Sequence, residues 1–221
     1  MTPIAHIHSL YGTKFGVPRQ AGLVDVPARI VFEPEYRVAE ALRGIEQFDY
    51  LWLIWQFHLA ERSTWSPTVR PPRLGGNKRV GVFASRSPFR PNPIGLSSVK
   101  LIGVETDPQL GPVLVVGGAD LVDGTPILDI KPYVPYADSH PDASGGYASE
   151  APVASLAVED PQGVLQSLPP DRREALRQTL ACDPRPHYQD DPQRIYSMLF
   201  GSLDVKFRVE GDRLIVLSTS T

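Results

Sequence analysis

Tyr50-Leu51-Trp52-Leu53-Ile54-Trp55-Gln56-Phe57 is the stretch that decides the fold. Its residues are apolar at odd and even positions alike, which suits a strand covered by a barrel interior on one face and a partner surface on the other. Such a strand belongs at the centre of the molecule. On its N-terminal side, residues 4 to 10 and 23 to 32 are short, partly alternating and rich in β-branched side chains. They predict two strands around a Gly/Pro-containing loop at 12 to 22. In YRVAEALRGIEQ, residues 36 to 47, Val38, Leu42 and Ile45 fall at helical spacing and predict one short helix. On the C-terminal side, residues 79 to 84, 95 to 105, 113 to 119 and 126 to 130 read as further strands, and 137 to 152 as a linker rich in Asp, Ser, Gly, Ala and Pro.

Residues 151 to 158 are expected to close this first body. A helix then begins at Asp171, with Glu174 completing an Asp-x-x-Glu capping box before ALRQTLA. The chain ends in a hairpin, 203 to 209 and 214 to 218, around a Glu-Gly-Asp turn. The division that follows is a mainly β body over 1 to 150 and a small α+β appendage over 151 to 221. Composition agrees: 23 Pro and 18 Gly among 221 residues interrupt helices too often for a helical bundle or coiled coil. The longest apolar run, 50 to 55, is far short of the about 20 residues a membrane helix needs. MTPIAHIHSLYG lacks the apolar core of a signal peptide, so the expected location is cytoplasmic. The single cysteine, Cys182, excludes an internal disulfide and a cysteine-rich zinc module.

The net charge of -3 conceals a segregation. Residues 62 to 100 carry 8 basic and 0 acidic side chains, whereas 101 to 160 carry 1 and 10. A local positive field inside a mildly acidic protein points to a polyanionic partner. The alternative is that these arginines neutralise the acidic segment within the fold.

Familiar cofactor motifs fail. LGGNKRVG lacks the spacing and hydroxyl of a Walker A loop, and GGADLVDGT lacks both the spacing and the following helix of a dinucleotide fingerprint. His6 and His8 alternate onto one strand face without a third ligand, so no metal is expected. No GxSxG elbow accompanies the five histidines. The unusual chemistry lies in loops. RVGVFASRSPFRPNPIGLSSVKL, residues 79 to 101, alternates arginine with proline, so a stiff loop presents Arg86 and Arg90 at little ordering cost. Arginines in irregular loops also often serve only to satisfy carbonyls. DLVDGTPILDIKPYVPYADS, residues 120 to 139, gathers Asp120, Asp123 and Asp129 with Lys131, Tyr133 and Tyr136, and solvated turn carboxylates are its ordinary explanation. KFGVPRQAG, 14 to 22, is a third punctuated polar loop.

These three stretches, with GIEQFDYLWLIWQFH at 44 to 58, TVRPPRLGGNKRVGVFASRS at 68 to 87 and DPRPHY at 183 to 188, closely resemble the TrmO (TsaA, YaeB-like) family over nearly the whole chain. The resemblance implies a single-sheet β-barrel that binds S-adenosylmethionine and works as a homodimer. It implies methylation of N6 of threonylcarbamoyladenosine, beside the anticodon of threonine tRNAs. The family's cofactor-binding positions fall on Pro18, Arg19 and Gln20, on His58 with Leu59, on Arg86, on Leu96, and on Asp120, Leu121, Val122 and Asp123. One departure is Leu59, where some relatives carry a polar residue, which leaves that contact to its backbone.

Methyl transfer to such a nitrogen needs donor and acceptor held in line, and a group to take the N6 proton. The proton acceptor is open among Asp120, Asp123, Asp129, His58 and Tyr133. Arg90 or Arg86 is expected to pair with the threonyl carboxylate. Arg70, Arg73, Lys78 and Arg79 are the expected phosphate contacts, with Arg185 and Tyr188 assisting. In a dimer, the appendage of one subunit would cover the site of the other. Two other readings stay open: a non-catalytic RNA-binding barrel that ignores S-adenosylmethionine, and a methyltransferase of the same fold with a small-molecule acceptor.

Overall fold

The computed structural model describes residues 1 to 60, 64 to 150, 156 to 185 and 191 to 220. It is mainly β. The first sheet comprises β1 (Ala5–His8), β2 (Pro27–Phe32), β3 (Tyr50–Gln56), β6 (Ile94–Asp107), β7 (Gly111–Gly117) and β8 (Pro126–Pro132), interrupted by the short pair β4 (Thr68–Val69) and β5 (Val80–Gly81). Strand order is β1-β2-β7-β6-β3-β8, and Ala5 opposite Ile127 and His6 opposite Pro126 join the two ends into a ring. β3 pairs with β6 on one side and β8 on the other, the central place its composition demands. Leu51, Leu53 and Trp55 point inward with Ile7, Ile30, Leu114, Val116 and Ile127, while Trp52 and Ile54 stay partly exposed on the other face. β6 is long enough to serve two neighbours: residues 94 to 100 pair with β3 and 100 to 107 with β7. A register shift between Leu101 and Gly103 lets the strand turn this corner.

Residues 36 to 47 do not form the expected helix. They fold as short 3-10 turns at Ala39–Leu42 and Ile45–Gln47, after one at Pro34–Tyr36. Gly44 sits between them at φ 85, a left-handed conformation that no helix interior tolerates. Tyr36, Leu42 and Ile45 pack on the first core, whereas Val38 stays 51% exposed, so the apparent helical stripe does not share one buried face. The predicted strand at 79 to 84 shrinks to β5 followed by a 3-10 turn, Val82–Ala84.

The linker region holds a four-residue helix, α1 (Pro135–Asp138). Beyond it, β9 (Ala157–Glu159), α2 (Pro170–Ala181), β10 (Tyr196–Phe200), β11 (Leu203–Glu210) and β12 (Arg213–Ser220) build a second sheet of order β10-β11-β12-β9. β9 runs parallel to β12, so residues 157 to 159 belong to this sheet and do not close the first. Residues 151 to 155 lie outside the described part. The capping box is not formed either. α2 starts one residue earlier, on Pro170, so Asp171 falls inside the first turn without a capping bond, and Glu174 instead accepts from Gln178.

The second core is not confined to the C-terminal segment. Tyr11, Val24 and Val26 are buried among Leu176, Leu180, Phe200, Phe207 and Val216. The Tyr11 hydroxyl lies 3.3 Å from Thr179 Oγ1, and burial is the main reason its pKa is pushed up to about 12. Phe15 stacks on Tyr196 and Phe207, while Met198 and Leu199 lie against Gly16 and Gly12. The second sheet therefore backs the loop at 12 to 22.

Candidate active site

A cavity of about 820 Å³ opens where four segments meet: residues 14 to 20, 55 to 60, 83 to 96 and 120 to 125. Each arrives for a local reason. The first is pinned from behind by the second sheet. The second is the end of β3, where Phe57 N–H donates to Pro93 O and so ties the strand to the proline loop. The third is braced internally: Arg90 Nη1 donates to Ser85 O at 3.0 Å, Phe89 N–H to Ser87 Oγ, and Ile94 N–H to Asn92 O. The fourth is held to the N-terminal strand. Ser9 N–H donates to Asp123 Oδ1, Ser9 Oγ to Leu121 O, and Thr125 Oγ1 to Val122 O.

Of the residues named from sequence, Pro18, Arg19, Gln20, His58, Leu59, Arg86, Leu96, Asp120 and Val122 line this cavity, and so does Arg90. Pro18 is buried, and Leu59 and Leu96 are exposed at the rim. The Arg86 guanidinium donates to Gln20 Oε1, joining the first and third segments. The Leu59 carbonyl accepts from Lys14 Nζ. Leu121 is different: its side chain is 1% exposed inside the ring. Asp123 turns away from the cavity, toward Ser9 and 3.5 Å from His8 Nδ1. Asp129 pairs with Lys131 at 3.0 Å, and Tyr133 packs against Tyr50 and Trp52; neither reaches the lining. That leaves His58 and Asp120 at the cavity among the five proposed proton acceptors.

Asp120 is the electrostatic feature of the site. Burial pushes its carboxyl above the usual range. Donation from Ser97, backbone N–H groups including that of Ala21, and the positive charge of Arg86 act in the opposite direction. Arg19 is held below its ordinary range, first by burial. The inner wall is aromatic. Trp55 and Phe57 sit 4.2 Å apart centroid to centroid, and Gly95 lies so close under the Trp55 ring that a methyl group there would collide with it. Ser97 and Trp55 escaped the motif reading. The signal was present, since Ser97 is a hydroxyl on the face of β6 that alternation assigns to the core with Gly95 and Val99.

The basic stretch forms an arm beside the cavity. Its ends, β4 and β5, pair, and Arg79 Nη1 donates to Thr68 Oγ1 at 3.0 Å across them. Arg70, Arg73, Lys78 and Arg79 are exposed on it, and Arg73 donates to the Glu150 carbonyl. Among the described residues none of these four, nor Arg86 or Arg90, forms an ion pair with a carboxylate, so the acidic segment does not neutralise the arm. Arg185 is engaged within the fold. It is 12% exposed and makes two 2.9 Å bonds to Asp183, while its carbonyl accepts from Arg19. Tyr188 lies outside the described residues. Among those residues no cluster of metal-ligating side chains occurs, and no helix is long and apolar enough to cross a membrane.

With this geometry in view, comparison with known proteins is decisive. Residues 6–139 match the family model described as the tRNA-methyltransferase O N-terminal domain, and residues 154–221 match the TrmO C-terminal domain. The chain belongs to the TrmO family. The tRNA (adenine(37)-N6)-methyltransferase of Escherichia coli K12 is 45% identical over 215 residues, covering 93% of this chain and 91% of that protein. A Pseudomonas aeruginosa relative, 44% identical over 97% of this chain and 94% of its own, carries a name that provisionally assigns it S-adenosylmethionine-dependent methyl transfer. The crystal structure of TrmO from Pseudomonas aeruginosa superposes with a TM-score of 0.78 at 35% identity, covering 100% of this chain and 97% of that one.

Proposed function

We propose that this TrmO-family chain is an S-adenosylmethionine-dependent methyltransferase acting on adenine N6 in tRNA, with the ring of strands serving as the family's β-barrel. The finer reading is threonylcarbamoyladenosine beside the anticodon of threonine tRNAs, acted on by a homodimer. The observation that carries it is the meeting at one cavity of the three loops that resemble the family's donor site, with a basic arm at its side that forms no ion pair among the described residues.

The lining fits the donor's chemistry. S-adenosylmethionine, when bound, supplies a methyl group made electrophilic by a sulfonium cation. Asp120 gives an anionic group, Arg19 gives donors for a carboxylate, and Trp55, Phe57 and Phe89 give faces for an adenine. The volume lies within the range of ordinary small-molecule sites, about 300 to 1,000 Å³. In this reading Asp120 is matched to the donor's positive charge, and His58, which lines the same cavity, accepts the N6 proton. Arg90 keeps the proline loop in shape through its own carbonyl bonds, and Arg86, whose guanidinium donates to the neutral Gln20 Oε1, is the partner for the substrate carboxylate.

Incubating the protein with methyl-labelled S-adenosylmethionine and tRNA from a strain lacking its own copy, followed by nucleoside mass spectrometry, tests the proposal. A label on the hypermodified adenosine is expected. Donor binding without any tRNA label would favour a small-molecule acceptor, and tRNA binding without donor binding would favour a non-catalytic RNA-binding module. His58→Gln is expected to lower kcat by about 100-fold or more.

A further inference from the structure

Ser97 is 3% exposed, and its hydroxyl has two partners: Trp55 Nε1 at 3.0 Å and Asp120 Oδ1 at 2.6 Å. Donor and acceptor bookkeeping fixes the direction of this chain. An indole N–H only donates, so Ser97 Oγ accepts from Trp55. Its one proton then has a single destination, and Asp120 Oδ1 must accept it. A neutral Asp120 that donated to Oγ would leave the serine proton buried with no acceptor. Asp120 Oδ1 is therefore an acceptor in this chain, and a donation to that oxygen is stronger when the carboxyl is ionised.

The other groups acting on Asp120 are Arg86 from the proline loop, the backbone N–H of Ala21 from the first loop, its own N–H, and the phenol of Tyr11. Apart from the phenol, all of them favour the anion, and burial opposes them. We propose that Ser97, oriented by Trp55, is a positioning residue that holds Asp120 as an aimed carboxylate for a cationic group of the methyl donor. This rests on the donor-binding reading above and extends it to two residues that lie in strands. The wall residue Trp55 thereby acts twice, through its ring on the cavity and through its N–H on the charge.

The test is calorimetric titration of the full chain with S-adenosylmethionine from pH 5 to 8. Wild type is expected to lose affinity on acidification, as Asp120 takes up a proton. Ser97→Ala removes a donation to a charged group and should move the midpoint of that loss to higher pH, weakening binding by about tenfold or more at the acidic end. Ser97→Thr, which keeps the hydroxyl, should restore the wild-type midpoint. Trp55→Phe should shift it the same way as Ser97→Ala but less, and it carries the test if the alanine variant does not fold. An unchanged midpoint in Ser97→Ala, or in Trp55→Phe where that variant must serve, overturns the assignment. Absence of binding by the wild type at every pH overturns the donor reading instead.

Discussion

Replacing Arg70, Arg73, Lys78 and Arg79 together by glutamine should change how tRNA binding responds to salt. All four are exposed on the β4–β5 arm, and their described contacts are to neutral acceptors, Thr68 Oγ1 and the Glu150 carbonyl, which leave the positive charges uncompensated. If each meets one phosphate, each contributes about 0.7 to 0.9 to the slope of log affinity against log salt, so the variant's slope should be shallower by about 3. Between 50 and 200 mM salt, wild type should then lose about 50- to 150-fold more affinity than the variant. Fluorescence anisotropy of labelled tRNA over that range reads the slope directly. Donor affinity, measured by calorimetry on the same protein, should not move, because none of the four lines the cavity. A variant with weakened binding and an unaltered slope would refute the phosphate assignment.

Three further outcomes follow from the packing. Gly95→Ala forces the Trp55 ring off its seat and should cost about 1 to 3 kcal/mol in chemical denaturation, with weaker donor binding because the same ring walls the cavity. Tyr11→Phe should remove part of the alkaline loss of stability. A phenol at about 12 when folded, against about 10 unfolded, contributes stability that is complete below pH 10 and lost as pH rises through 12, about 2 to 3 kcal/mol in all. Between pH 10 and 12 wild type should therefore lose more stability than the variant, read as a steeper fall of its melting temperature with pH. Phe207→Ala empties the centre of the second core and should cost about 3 to 5 kcal/mol by thermal unfolding, with reduced donor affinity because Phe15 loses a stacking partner behind the Pro18–Gln20 loop.

The strands were legible because burial imposes a period, and β3 announced its own centrality by being apolar at both parities. The helix at 36 to 47 was misread because Val38, Leu42 and Ile45 mimic a stripe while Gly44 breaks the backbone between them. The capping box failed for a similar reason: Pro170 can begin a helix without any side-chain cap, so Asp171 had no terminus to serve. Loop chemistry pointed to the cavity, since a loop stiffened by proline presents its arginines at little ordering cost. What sequence could not supply was which carboxylates share that cavity. Asp120 and Asp123 are three residues apart, and one lines the cavity while the other faces Ser9. That choice is made by the turn at 120 to 125, whose bonds to Ser9 and Tyr11 come from more than a hundred residues away.

The most direct measurement is a crystal structure of the protein with S-adenosylmethionine bound. The donor should occupy the space between residues 14 to 20, 55 to 60, 83 to 96 and 120 to 125, with a cationic group on Asp120 and the methyl group open toward the basic arm. Donor density at any other place on the molecule, with this cavity filled by solvent alone, would contradict the account.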